Sequence, residues 1–173
     1  MSTLITNTIQ GINTIKYDAS TTAMTIDSAG RVLMPAQPSF FTFNMNFPSG
    51  TSGVATGGTI DHNIGSHYNS SNGKFTAPIT GRYMFIGASQ YYSDGSNQYQ
   101  TSLFVKNGTG GSDGYGANMV QGLVVNGGAS TGNNHASAQI SSIFSLSAND
   151  TIALYTEYGG RDIQNYFGGY LIG

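Results

Sequence analysis

The chain of 173 residues is long enough for one well-buried domain with a short appendage and too short for two sizeable domains. Only 8% of its residues are charged, against about 25% in an average soluble domain, and its net charge of -2 provides no basic surface for nucleic acid. It contains no cysteine, which excludes disulfides and thiolate metal sites. No apolar run reaches the ~20 residues that span a bilayer, so membrane insertion is not expected.

The N-terminal segment, residues 1–38, is polar and rich in Thr, Ser and Asn. It carries short β-like pieces at 14–17 and 23–26 and a turn at 27–30. Such a segment is too small to bury a core of its own. We therefore predict a short extended β-arm that docks on another protein, followed by a head domain at 39–173, with a disordered tail as the alternative.

The most informative stretch is residues 67–88, HYNSSNGKFTAPITGRYMFIGA. Asn72 and Gly73 form a strong turn dipeptide because both tolerate positive φ. Pro78 ends the short strand before it because proline cannot donate to a ladder, and Gly81 leads into a run of β-formers. The local prediction is strand, turn, strand.

This order, a Gly turn, then Phe-x-x-Pro, then x-x-Gly-x-Tyr and an apolar strand, resembles the signature of the C1q-like globular head family. Residues 39–47 are similar to the family's opening strand, with Phe41, Phe43 or Phe47 as its aromatic positions. Residues 146–154 resemble its Leu-x-x-Gly-Asp-x-Val-x-Leu turn, and 167–171 resemble its closing strand. Asn149 stands where the family usually has Gly, and both residues accept a left-handed turn.

The resemblance implies an all-β fold, an antiparallel jelly-roll sandwich of the ten-stranded C1q/TNF-like type. It also implies a homotrimer that binds other molecules and performs no catalysis. In that fold the loops at one end form an exposed apex, and the two termini of the domain lie near the other end.

Strand periodicity also bears on oligomerisation. From residue 83 onward, Tyr83 and Phe85 alternate with Met84 and Ile86, so the strand is apolar on both faces. A sandwich strand in a monomer should have one polar face that is exposed to solvent. A thick core would explain the pattern, and the resemblance favours a threefold trimer. The predicted trimer-interface residues are Tyr83, Phe85, Ile86, Phe167 and Tyr170.

Motifs for catalysis are missing from the sequence. It has no Gly-x-Ser-x-Gly elbow, no His-Glu-x-x-His and no phosphate-binding loop, and Glu157 is its only glutamate. Asp61 and His62 are adjacent, and adjacent strand residues point to opposite faces, so they are not expected to share a site. We predict that the protein is not an enzyme.

Tyrosines concentrate in one candidate loop, residues 91–99. Tyrosines among Asn, Ser and Asp suit stacking on sugars, and they equally suit a protein interface or a Tyr-rich sandwich edge. Calcium is a weak possibility, because some members of the family hold it near the apex; Asp94 and Asp113 are the candidate ligands, and an Asp-Gly turn is the alternative for both. No other cofactor or metal is predicted. The predicted ligand-binding residues are Tyr92, Asp94, Asn97, Tyr99, Asp113 and Tyr115.

The N-terminal residues 1–10 show no secretory signal. A chain that resembles an extracellular module and lacks such a signal is either truncated or released by lysis, and the second case describes a phage structural protein. We therefore predict a non-enzymatic trimeric virion protein at the particle surface, a capsid decoration or cement protein anchored to other virion proteins through residues 1–38. The alternative is a tail-fibre tip adhesin that binds a host surface glycan or receptor. The short leader favours the first, since 38 residues reach at most ~130 Å.

Overall fold

The structure, a computed structural model, describes residues 13–47, 52–93, 98–108, 119–127, 134–157 and 165–173. The chain divides into two compact units, residues 1–37 and 38–173. All the described elements are β-strands. Those of the first unit are β1 (Thr14–Lys16), β2 (Thr22–Ile26) and β3 (Val32–Leu33). Those of the second unit, the head, are β4 (Ser39–Phe43), β5 (Gly53–Val54), β6 (Thr59–Ile64), β7 (Tyr68–Asn69), β8 (Lys74–Thr76), β9 (Gly81–Ser93), β10 (Gln98–Lys106), β11 (Met119–Gly127), β12 (Asn134–Leu146), β13 (Thr151–Glu157) and β14 (Tyr166–Leu171).

The first unit is a three-stranded antiparallel meander in the order β1-β2-β3. Its first turn is held by Asp18, whose carboxylate accepts hydrogen bonds from the backbone N–H groups of Ser20 at 2.9 Å and Thr21 at 2.6 Å. These bonds lower the pKa of Asp18 to about 2. Asp27 holds the second turn and pairs with Arg31 at 2.7 Å. The segment predicted as an extended arm is therefore folded back on itself, because its two Asp-led turns reverse the chain.

The head is a sandwich of two antiparallel sheets. One sheet has five strands in the order β12-β9-β14-β4-β6, and the other has the order β11-β10-β13-β8-β7 with β5 added on β13. Neighbours in space are mostly distant in sequence, as in a jelly roll. This arrangement confirms the predicted all-β jelly-roll sandwich, to which the two-residue β5 is an additional strand.

Aromatic rings fill the space between the two sheets. Phe40 packs edge-on against Phe167 with ring centroids 4.9 Å apart, and Phe75 meets Phe85 at 5.4 Å. All four side chains are at most 2% exposed. Phe40 is thus a core aromatic of the opening strand that the sequence comparison did not select.

Of the three aromatic positions that were selected, only Phe47 is buried in this core, at 5% exposure. Phe41 and Phe43 alternate with Phe40 and Thr42 along β4, so they lie on the opposite face of the sheet. The opening strand ends at Phe43 and is shorter than the predicted 39–47, so that Phe41 and Phe43 lie on it and Phe47 lies beyond its end.

The signature turn has the predicted conformation. Gly73 has a φ of +69°, and a methyl group there would run into the backbone carbonyl of Ala55. The side chain of Asn72 accepts a hydrogen bond from the backbone N–H of Lys74 at 3.1 Å, which closes the turn. Asn149, the departure from the family pattern, has a φ of +73° and takes the left-handed conformation expected for Gly.

The strand register defines two ends of the head. At the base end, the backbone N–H of Leu171 donates to the carbonyl of Pro38 at 3.0 Å, and that of Arg82 donates to Gly173 at 2.6 Å. At the far end, β9 finishes at Ser93, opposite the first residue of β12. The termini of the head therefore lie at the end opposite the β9–β10 connection, as predicted.

Candidate functional site

The outward face of the five-stranded sheet exposes large apolar side chains among the described residues. Ile143, Tyr170 and Ile86 are 59%, 51% and 38% exposed on it. We call this surface the open face. Residues directly opposed on antiparallel strands share a face of the sheet. The register therefore arranges the open face in three rows: Gln139–Ala88–Tyr166–Phe43, Ser141–Ile86–Gly168–Phe41–His62, and Ile143–Met84–Tyr170–Ser39–Ile64.

Apolar and aromatic side chains make up most of these rows, and the rows contain no Asp, Glu, Lys or Arg. The ring of Phe41 lies 5.9 Å from that of Tyr166 and 6.4 Å from that of Phe43. The three rings form a continuous aromatic strip across β4 and β14. Such a strip on a surface is typical of a protein interaction site.

Two hollows lie on either side of Ile86. One, of about 180 Å³, is lined mainly by Phe41, Met84, Gly168 and Tyr170. Gly168 keeps this hollow open, because a Cβ atom at that position would lie 2.7 Å from Cδ2 of Phe41. The other, of about 260 Å³, is lined by Ile86, Gln139, Ile140, Ser141 and Tyr166. The open face therefore offers sockets for apolar side chains from outside the chain.

His62 lies at the rim of the first hollow, on the edge strand β6. Its Nδ1 atom is 3.0 Å from a carboxylate oxygen of Asp61. The prediction that these adjacent residues do not share a site is wrong, because the pairing of β4 with β6 slips at this point and leaves Asp61 without a paired residue on β4. Among the described residues, no three His, Cys, Asp or Glu side chains come together to hold a metal ion.

Three of the predicted trimer-interface residues are not on the surface. Tyr83, Phe85 and Phe167 are 0% exposed and lie in the core between the two sheets. They occupy the inward positions of β9 and β14, which alternate with the outward ones. The interface prediction is therefore wrong for these three, whereas Ile86 and Tyr170 lie on the open face and remain predicted interface residues.

Other residues of the open face were missed in that prediction, among them Phe41, Met84, Ile143 and Tyr166. A period of two along β9 and β14 was sufficient to find Met84 and Tyr166, which share a face with Ile86 and Tyr170. Ile143 interrupts an otherwise polar face of β12, which is also visible in the sequence. Phe41 required the pairing of β4 with β14, which the sequence does not supply.

Two of the six predicted ligand-binding residues lie in described strands. Tyr92 pairs with His135 and Tyr99 with Asn126, near the far end. Asp94, Asn97, Asp113 and Tyr115 lie outside the described residues.

Comparison with known proteins supports the fold. No protein-family model and no curated protein matches the sequence. The globular domain of the zebrafish complement 1qA protein superposes with a TM-score of 0.59 and 16% identity, over 79% of this chain and 98% of that domain. Murine APRIL, in structures at pH 5.0 and pH 8.5, gives TM-scores of 0.55 and 0.54 with 9% and 10% identity, over 79% of this chain and 99% of that chain.

Within the described residues, no helix is long and apolar enough to cross a membrane. At the identities found, the structural similarity establishes the fold alone. The head of this protein has the C1q/TNF-like jelly-roll fold.

Proposed function

We propose that the protein is a homotrimeric structural protein whose subunits associate through the open face. The observation that carries this proposal is the exposure of Ile86, Ile143 and Tyr170 beside an aromatic strip that has no charged residue in its rows. C1q/TNF-like folds generally form homotrimers, so the fold provides independent support.

The size of the open face is consistent with an interface. Burying one large apolar side chain contributes about 1.5–3 kcal/mol, and association costs an estimated 4–15 kcal/mol in lost freedom of motion. Three exposed and several half-buried apolar side chains per subunit therefore provide a free energy of the same order as that cost.

A charge placed in the open face tests this interface. In Ile86→Asp an unpaired carboxylate enters an apolar contact, which costs several kcal/mol. We expect a folded protein with the mass of one chain by light scattering. Thr76→Asp is the matched control, because Thr76 is exposed on the other sheet, and it should keep the trimer. An Ile86→Asp protein that remains trimeric at micromolar concentration would remove the open face from the interface.

The role that we propose for this trimer is architectural, as a decoration or cement protein at the surface of a virus particle, attached through residues 1–37. The support for attachment is that the described part of this unit is separate from the head core and exposes the apolar side chains of Tyr17, Leu33 and Met34. Purified particles that carry the protein provide the test. Removing residues 1–37 should abolish incorporation and leave a soluble head, whereas normal occupancy of truncated heads would show that the head attaches.

A second candidate is an adhesin that binds a host surface glycan with the far end. It is favoured by the position of Tyr92 and Tyr99 in strands that end far from both termini of the head. Changing both to Ala should then weaken attachment to host cells tenfold or more, about 1.4 kcal/mol, with normal particle assembly. Unchanged attachment, together with loss of particle stability when the whole chain is absent, would favour the architectural role.

A further inference from the structure

The N-terminal unit carries an apolar surface of its own. Ile15 is paired with Met24, and Ile26 with Val32. Met24 and Ile26 are two residues apart on β2, so all four side chains lie on one face of the meander. We call it the arm face. The opposite face carries Thr14, Thr25 and Leu33, which are also paired with one another in register.

The arm face has no partner within the described part of its own unit, residues 13–37. No residue from 13 to 36 is buried, and Ile15 and Val32 are 48% and 56% exposed. Three strands of five residues or fewer are marginal in water without a packed face. Something outside the described part of this unit is therefore needed to hold the meander in its fold.

We propose that the arm faces of the three copies in the homotrimer pack against one another. This inference rests on the homotrimer proposed above. Each meander is joined directly to its head, because residue 37 of the first unit is followed at once by Pro38 of the second. A trimer of heads thus holds three arm faces on short tethers, at an effective concentration of about a millimolar.

Charge and area favour this occupant over a separate partner protein. The described residues of the unit contain two basic residues, Lys16 and Arg31, and two acidic residues, Asp18 and Asp27, so three copies do not repel one another. All four side chains form hydrogen bonds within the two turns. Lys16 donates to the carbonyl of Ala19 at 3.2 Å, Asp18 accepts from the backbone of Ser20, and Asp27 pairs with Arg31.

The arm face consists of only four apolar side chains. A stable contact between free proteins requires about 800 Å² per partner, which is more than four partly exposed side chains offer. Tethered copies do not need that area, because the head interface already brings them together. The arm face is therefore suited to another copy of itself within one trimer.

Amide hydrogen exchange of the full-length protein in solution, without particles, tests the inference. We expect protection of β2 in the wild type, loss of it in Met24→Asp, and retention in Thr25→Asp, whose side chain is on the opposite face of the same strand. Ile86→Asp, which separates the heads, should also lose the protection of β2. Retained protection in that monomer, or exchange as fast in the wild-type β2 as in an unfolded peptide, would overturn the inference.

Chemical cross-linking provides a readout that does not depend on a destabilising charge. The chain has no cysteine, so Val32→Cys on the arm face and Leu33→Cys on the opposite face can each be joined by a short bis-maleimide. We expect linked chains for Val32→Cys at a yield that does not change on dilution, and at least tenfold less for Leu33→Cys. Equal yields would overturn the inference. A wild-type protein with the mass of one chain would instead overturn the proposed homotrimer on which it rests.

Discussion

The two sheets of the head differ in what covers their outward faces. On the six-stranded sheet, Leu103, Val105 and Tyr155 point away from the core and are at most 4% exposed, with Val54 of β5 packed against them. On the five-stranded sheet, the outward Ile143 is 59% exposed. Both sheets thus have strands that are apolar on both faces, and among the described residues the large outward side chains named here are buried on one sheet and exposed on the other.

This difference shows that a two-faced apolar strand does not by itself indicate a subunit interface. On β10 and β13, the outward Leu103, Val105 and Tyr155 are buried within the chain, with Val54 packed beside them, and they form a second core cluster. On β9, β12 and β14, the outward Ile86, Ile143 and Tyr170 remain exposed. An interface is indicated where the apolar alternation is combined with exposure in the single folded chain.

The largest effect that we expect is a difference between two aspartate variants, of which one prevents folding and the other prevents only association of the subunits. Leu103→Asp buries an unpaired charge inside the chain, which costs several kcal/mol, so we expect an unfolded or insoluble protein. Ile143→Asp introduces the same charge on the open face. This variant should keep the circular dichroism spectrum of the folded chain unchanged and should not form a trimer. Unfolding of both variants would mean that the open face is covered within the chain and that the comparison fails.

Two neighbouring glycines of β14 allow a smaller and more specific comparison of the two faces of this sheet. Gly169 faces the core, where a methyl group would overlap the ring of Phe85, so Gly169→Ala should lower the free energy of unfolding by about 1–3 kcal/mol. Gly168 faces the open face, and Gly168→Ala should displace Phe41 and weaken association by about tenfold or more. Denaturant unfolding and sedimentation measure the two effects separately. Equal effects of both substitutions on unfolding would contradict the assignment of the two faces.

Among the described residues, one buried polar atom in the core has no hydrogen-bond partner, the hydroxyl of Tyr68. Burial raises the pKa of Tyr68 far above its usual range, so the group stays neutral. Its ring stacks on Phe40 with centroids 4.6 Å apart, and phenylalanine preserves that contact. We expect Tyr68→Phe to raise the free energy of unfolding by about 1 kcal/mol in denaturant titrations. A loss of stability of that size would indicate that the hydroxyl has a partner, such as a buried water.

Acid should act on the base end of the head, through Asp150. The pKa of Asp150 is lowered to about 2, chiefly by a hydrogen bond from the Asn107 side chain at 2.7 Å and also by Lys106 at 2.8 Å. An aspartate in an unfolded chain titrates near ~3.9. The stabilisation by Asp150 is therefore complete above about pH 4 and is lost as the pH falls toward 2.

Thermal unfolding at a series of pH values, for the wild type and Asp150→Asn, measures this contribution. The wild-type melting temperature should fall more steeply than that of Asp150→Asn between pH 4 and 2. Parallel curves would show that Asp150 does not contribute to the acid sensitivity of the fold.

Much of the head could be predicted from sequence because several of its turns require a left-handed backbone conformation, which few residue types adopt. Gly73 and Asn149 adopt the left-handed conformation that their positions in the signature required. The meander turn at 27–30 was likewise predicted, whereas the turn at Asp18 and the folding of the arm into a sheet were not. Local signals of this kind depend on two or three adjacent residues.

The sheet faces were harder to assign because they depend on pairing over long distances. Tyr83, Phe85 and Ile86 were predicted to share an interface, although alternation alone separates Ile86 from the other two. The packing of Val54 beside Tyr155 could not be predicted, since Val54 lies in a two-residue strand of a Gly-rich stretch and pairs with a residue about one hundred positions later.

The mass of the full-length protein in solution tests the central claim most directly. Sedimentation equilibrium over a range of micromolar concentrations should give three times the chain mass of 18.1 kDa. A mass of one chain throughout that range would show that the open face does not bind other copies, and would contradict the account.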